Sequence, residues 1–293
     1  MVDKNDRWWA GAAHPGAPPG DGKNEMGGST SAPSMGDGAG RRGFDNWRIA
    51  FHGIAIAMAA SSLLFLAIAI SSPSLLDAFT DLGVAILSSL PAILGFLLAR
   101  RYGISTPFGR CFALLAAGSA LWAIGECLWP IYTKVLGEEM PFPSPMDALW
   151  MSGYAFMGLG IYAMLRIFGP IRGRGSAILA SCSVAIASAI ILIAAPKIYG
   201  SSPMELLIHD YYLISDVAIL GLLFLAYQTF RGGRVSRAWL ILIAGIAAIL
   251  SADALFNLAV SIRSEGHLLL SDLIYMNGYS LMALGFAAHA MEL

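Results

Sequence analysis

From Arg48 onward the chain is a succession of apolar stretches, each close to the roughly 20 residues that an α-helix needs to cross a bilayer of about 30 Å. Eight such stretches fall at about 48–71, 80–99, 109–131, 146–167, 176–195, 208–230, 237–261 and 269–291. The breaks between them carry turn chemistry: Ser72-Pro73, Gly137 to Pro145, Gly169-Pro170 with Gly173, Gly200 to Pro203, and Gly232-Gly233. With 57% hydrophobic and 13% charged residues among 293, the composition excludes a soluble domain. The expected fold class is all-α: a polytopic membrane protein of eight transmembrane helices.

Residues 1–47 hold 10 glycines and 4 prolines and too little apolar surface to offset the entropy of ordering, so they are expected to be a disordered tail. No basic segment followed by a short apolar core opens the chain, which argues against a signal peptide. Cys111, Cys127 and Cys182 are odd in number and lie in apolar runs, so neither a disulfide framework nor a zinc ribbon is indicated. The 18 basic and 19 acidic residues nearly cancel, and nothing in the charge balance points to nucleic acid.

Basic residues set the expected orientation. Arg41, Arg42 and Arg48 precede the first run; Arg100, Arg101 and Arg110 lie in the second loop, Arg166, Arg172 and Arg174 in the fourth, and Arg231, Arg234 and Arg237 in the sixth. The odd-numbered loops carry only Lys134, Lys197 and Arg263. This alternation places both termini in the cytoplasm of a cell-membrane protein.

The segment Asp147–Gly160, DALWMSGYAFMGLG, and the segment Asp272–Gly285, DLIYMNGYSLMALG, share seven of 14 residues without a gap. Upstream, Gly125 to Trp129 aligns with Ala252 to Phe256, and the run from Asp81 to Arg101 matches that from Asp210 to Arg231 in length and ends. The pattern predicts an internal duplication: a first four-helix repeat over 48–168 and a second over 176–291, related by an axis along the membrane normal.

Outside the tail and Glu292, every carboxylate falls in the odd-numbered loops or the outer parts of helices. Asp81, Asp147, Asp210 and Asp272 are expected to begin helices, where a cap or the helix dipole explains them as well as a ligand does. Glu126, Asp216 and Asp253 lie inside predicted spans, where a carboxylate is costly and points to a functional site. Helical spacing puts Trp122, Glu126 and Trp129 on one face, with Ile249, Asp253 and Phe256 as their counterparts. Asp147, Trp150 and Tyr154 share a face, as do Asp272, Tyr275 and Tyr279. The expectation is an outward-facing acidic-aromatic pocket suited to an organic cation, a metal ion or a proton. The simpler alternatives are protonated carboxyls bonded across helices for Glu126 and Asp253, and an outer aromatic belt for Trp129, Trp150, Tyr211 and Tyr212.

No H-E-x-x-H, P-loop or Schiff-base lysine in the last two runs is present, and no nucleophile, base and oxyanion site converge, so an enzyme is not expected. His52 and His289 both fall near the cytoplasmic side, but their spacing gives haem no support. No cofactor is assigned.

Gly125-Glu126-Cys127-Leu128-Trp129-Pro130, followed by Pro141-Phe142-Pro143-Ser144-Pro145-Met146-Asp147 and Gly153-Tyr154, resembles the multi-helix membrane input modules of certain bacterial and archaeal signalling proteins. There a G-E-x-x-W…P-[FY]-P-S-x-x-D…G-Y pattern precedes PAS, histidine-kinase or GGDEF output domains. The resemblance covers about 48–291 and implies a sensory module that signals to a separate cytoplasmic protein, since the chain ends two residues after its last run. A transporter or channel for a proton, cation or small cationic solute is the alternative expectation, and a membrane scaffold the third.

Overall fold

A computed structural model describes residues 37–137, 143–168, 203–262 and 265–292. Among these residues the chain forms seven α-helices and no strand: α1 Asp37–Ser71, α2 Leu76–Tyr102, α3 Pro107–Pro130, α4 Pro145–Ile167, α5 Pro203–Phe230, α6 Ser236–Ile262 and α7 Glu265–Met291. The apolar runs thus locate the helices. The run at 176–195 lies outside the described residues, as do most of the glycine-rich tail and the loop at 138–142.

Proline and glycine place the helix ends. Pro107 and Pro145 occupy first-turn positions, where no amide hydrogen is needed. Thr106 caps α3 by accepting from the Gly109 amide at 3.0 Å. Ser144 and Asp147 cap α4 reciprocally in a capping box. Gly103, with φ +82°, ends α2 in a conformation that a side chain would strain. Pro91 is carried inside α2 without breaking it, whereas Pro130 gives way to a five-residue π-turn at Ile131–Val135.

Four starts differ from expectation. Helix α1 begins at Asp37, so residues 37–47 are helical rather than tail. Helices α5 and α7 begin at Pro203 and Glu265, which places Asp210 and Asp272 more than a turn inside their helices. Asp81 likewise lies within α2, one turn beyond Asp77. Of the four acids expected at helix starts, Asp147 alone caps one.

The helices pack as a closed ring, α2 on α3, α3 on α4, α4 on α5, α5 on α6, α6 on α7 and α7 back on α2. Helix α1 lies at the edge and is tied to α7 by hydrogen bonds between Ser62 and Asn277. Its outer face leaves Ile49, Ile56, Leu63 and Ile70 exposed. Six helices are long and apolar enough to cross a membrane. The seventh, α7, carries Asp272, Asn277 and His289 among its apolar residues, with Ser271, Ser280 and His289 buried. Apolar residues outside and polar ones inside define a multi-pass helical membrane protein.

Two close crossings set the ring's geometry. A Cβ on Gly118 of α3 would stand 2.7 Å from the Gly153 oxygen of α4, and one on Gly245 of α6 3.0 Å from the Gly278 oxygen of α7. One turn on, Gly153 meets Trp122 and Gly278 meets Ile249; further along, Gly160 meets Leu115 and Gly285 meets Leu242. These contacts bring helix backbones together without side chains between them, as small residues do in membranes.

Candidate functional site

The inner faces of α3 to α7 carry acids and phenols at one level of the ring. Glu126 is one helical turn from Trp122, and Asp253 occupies the like position one turn from Ile249 on α6. Tyr154 on α4 and Tyr279 on α7 each follow the glycine of their close crossing, so each phenol is held where the helix pair is tightest.

The tyrosines bond across the ring. The Tyr279 hydroxyl donates to Glu126 Oε1 at 2.7 Å, linking α7 to α3. The Tyr154 hydroxyl lies 2.6 Å from Asp216 Oδ1 on α5 and 3.2 Å from Asp253 Oδ2 on α6. Tyr275, one turn before Tyr279, donates to Asp253 Oδ1. Asp216 is 1% exposed and its Oδ2 has no hydrogen-bond partner among the described residues. The tryptophans frame the cluster. Trp122 donates from Nε1 to the Trp150 carbonyl at 3.0 Å and sets its ring edge-on to Tyr154, centroids 4.8 Å apart. Trp129 lies 6.3 Å from Trp150 and 6.5 Å from Phe256, tying α3 to α4 and α6.

Around this centre the remaining acids take separate partners. Asp272 accepts from Thr80 of α2 at 3.0 Å rather than capping α7. Asp147 combines its cap with a 2.7 Å bond from Tyr212 of α5. Lys134 pairs with Asp77 and, at 3.6 Å, with Asp81. Among the described residues no lysine or arginine bridges Glu126, Asp216, Asp253 or Asp272.

Every sequence-derived candidate falls in or beside this network: Glu126, Asp253, Asp216, Tyr154, Tyr275 and Tyr279 bond directly, Trp122, Trp129 and Trp150 pack around them, and Asp147 and Asp272 flank them. Thr80 was not singled out by the sequence. Tyr211 and Tyr212 do not form an outer belt, because their hydroxyls turn into the bundle, Tyr211 to the Met151 carbonyl at 2.7 Å and Tyr212 to Asp147. The i, i+4 spacing of Tyr212 and Asp216 on one helix was the available signal.

Chemically the network is a set of carboxyls that take their hydrogen bonds from phenols. Among the described residues no group of three His, Cys, Asp or Glu side chains is arranged to hold a metal ion. Deeper in the ring, Leu115, Met157, Ile219, Leu242, Met282 and Phe286 help line an apolar cavity of about 20 Å³, space for about one water. Towards the other end of α7, His289 is 2% exposed and meets the Tyr102 hydroxyl at 2.8 Å within a cage that includes Phe112 and Trp239. The Tyr102–His289 bond gives His289 a partner within the bundle; among the described residues His52 bonds the Arg48 carbonyl of its own helix.

Comparison of the chain with protein-family models, with curated proteins and with solved structures finds no match.

Proposed function

We propose that this protein is a membrane-embedded sensory or ligand-binding module in which the carboxyl–tyrosine network couples two homologous halves. In this reading eight helices form two tandem four-helix repeats, both termini lie in the cytoplasm of a cell-membrane protein, and the acids face outward. The observation that carries it is a reciprocal exchange: Tyr279, in the segment matching that of Tyr154, bonds Glu126, while Tyr154 bonds Asp253, the counterpart of Glu126. The paired glycine crossings, Gly118 on Gly153 and Gly245 on Gly278, support the same two-fold relationship. So does the ring order, in which α2 meets α7 as α5 meets α4.

A site in which Tyr154 and Tyr279 each bond acids of the other half is poised to change how the halves pack. Any cation or proton that binds one arrangement better than another shifts the population towards it, and nothing more is required for a signal. The resemblance of the Gly125–Pro130 and Pro141–Asp147 motifs to signalling input modules supports a cytoplasmic protein partner as the receiver. A transporter or channel for a proton or small cation ranks second. The layer formed by Leu115, Leu242, Met282 and Phe286 interrupts a polar path between the acids and His289. A purely structural scaffold ranks third.

The test is the thermal stability of the purified protein across pH and with sodium, calcium, zinc or tetramethylammonium chloride, beside the Glu126→Gln, Asp253→Asn double variant. A ligand at about 100 times its Kd adds about 2.7 kcal/mol to the native state. Stabilisation of the wild type alone supports the module; identical melting of both proteins under every condition sinks it in favour of the scaffold.

A further inference from the structure

A proton, a metal ion and an organic cation are the candidate occupants of the network, and the geometry around Asp216 narrows the choice. Tyr154 has one hydroxyl hydrogen, yet its oxygen lies within bonding distance of both Asp216 Oδ1 and Asp253 Oδ2. It can donate to one of them only; the other contact is a hydrogen bond only if the carboxyl supplies the hydrogen. The single Tyr154 hydroxyl therefore brings the two carboxyls together. The Asp216 oxygen that Tyr154 does not meet is buried with no donor among the described residues, and a buried acceptor left unpaired is costly.

The two-fold pattern is broken at this place and nowhere else in the network so sharply. Glu126 accepts from one phenol, Tyr279, and the residue matching Tyr275 in the first half is Trp150, which has no hydroxyl. Asp253 instead accepts from Tyr275, contacts Tyr154 and faces a second carboxyl. Duplicated halves alone do not call for Asp216, whose counterpart position in α2, Ile86 or Leu87, carries no acid.

We propose that Asp216 and Asp253 share a single exchangeable proton, so that the ligand of the network is the proton itself. The inference rests on the network being the ligand site. Binding forms one O–H bond on a carboxyl oxygen, with the proton drawn from bulk water, and breaks no other bond in the protein. The groups facing the pair are Tyr154 and, farther out, Asp147 from α4, Tyr211 and Tyr212 on α5 itself, Tyr275, Tyr279 and Asp272 from α7, and Glu126 from α3. None of these is cationic, so the second negative charge of the pair finds no counter-charge there. The larger ligands fit less well. A hard divalent ion takes six to eight oxygens at about 2.3–2.6 Å, and among the described residues no group of three His, Cys, Asp or Glu side chains is arranged to hold one. An organic cation needs room beside the acids, and the apolar cavity of about 20 Å³ deeper in the ring is lined by none of these acids or phenols. A proton shared by such a pair belongs to both groups together.

The experiment is infrared spectroscopy of the full chain in lipid nanodiscs at pH 7, in H₂O and D₂O, for wild type, Asp216→Asn, Asp253→Asn and Tyr154→Phe. A carboxylic-acid C=O band that shifts in D₂O is expected in the wild type, is lost on either Asp→Asn change, and moves in frequency in Tyr154→Phe, which keeps both carboxyls. Tyr154→Phe also reads the proposal if an Asp→Asn variant does not fold. Absence of the band, or a band that all three variants leave unchanged, overturns the shared proton. If the band is absent and sodium or calcium stabilises wild type but not folded Asp216→Asn, the ligand site stands and its occupant is a metal ion. If the band is absent and no cation or pH step has any effect, the proton and the ligand-site reading fall together.

Discussion

The Tyr279 hydroxyl of α7 donates a 2.7 Å hydrogen bond to Glu126 of α3, joining residues 153 positions apart in the chain. Because Glu126 has no basic partner among the described residues, this phenol is the donor that compensates its partial burial. Tyr279→Phe is therefore expected to cost about 1–3 kcal/mol, the price of leaving a buried acceptor unpaired. Glu126→Gln keeps an acceptor and should cost less. Reversible unfolding of the two single variants and the double variant gives the coupling, which should be positive and about 1 kcal/mol.

The glycine crossings make a steric prediction. Gly118→Ala puts a methyl group against the Gly153 oxygen and the Met157 side chain and should cost about 1–3 kcal/mol. Gly245→Ala should act in the same direction at α6–α7. Gly158→Ala, on α4 but with nothing within 4 Å of the added carbon, should be neutral or slightly stabilising. Melting temperatures of the three proteins in one detergent decide the order.

The start of α4 separates a cap from a ligand contact. Ser144 accepts from the Asp147 amide at 3.2 Å, and its own amide donates to Asp147 Oδ2 at 2.6 Å. Ser144→Ala should cost about 1 kcal/mol, the usual loss for a capping side chain. Tyr212→Phe leaves the cap whole and removes only the 2.7 Å bond to Asp147 Oδ1. If Tyr212→Phe destabilises as much as Ser144→Ala, the contact between α4 and α5 contributes as strongly as the cap, as chemical unfolding of each variant will show.

Topology is open to direct labelling. With the three native cysteines replaced, a cysteine at the exposed Ser105 between α2 and α3 should react with a membrane-impermeant maleimide only after cells are opened. One at the exposed Leu136, beyond the π-turn, should react in intact cells. The reverse pattern would invert the proposed orientation and move the acids to the cytoplasmic side.

Helix positions were legible in the sequence because a membrane forces each span to be apolar over about 20 residues, which no other feature of the chain mimics. The faces Trp122–Glu126–Trp129 and Asp272–Tyr275–Tyr279 were legible for the same geometric reason, 3.6 residues per turn. Polar residues hid the starts of α5 and α7, since Pro203, Glu205 and Glu265–His267 interrupt the apolar pattern there. That displacement made Asp272 resemble a cap, when its partner is Thr80 on another helix. Tyr211 and Tyr212 were hidden differently, because a tyrosine near a membrane surface has the same sequence context whether it faces lipid or bundle. The exchange of tyrosines between Glu126 and Asp253 depends on how distant helices close into a ring, and no local spacing encodes that.

The central claim, that occupancy of the network changes how the halves pack, is tested most directly by a spin-label distance between them. Nitroxides at Arg100→Cys on α2 and Thr229→Cys on α5, both exposed and near helix ends, report across the ring by pulsed electron resonance in nanodiscs. The account predicts that the pH step or cation that raises the melting temperature shifts the distance distribution of the labelled wild type and leaves that of the Glu126→Gln, Asp253→Asn variant in place. A distribution that stays the same in both proteins under every such condition would contradict it.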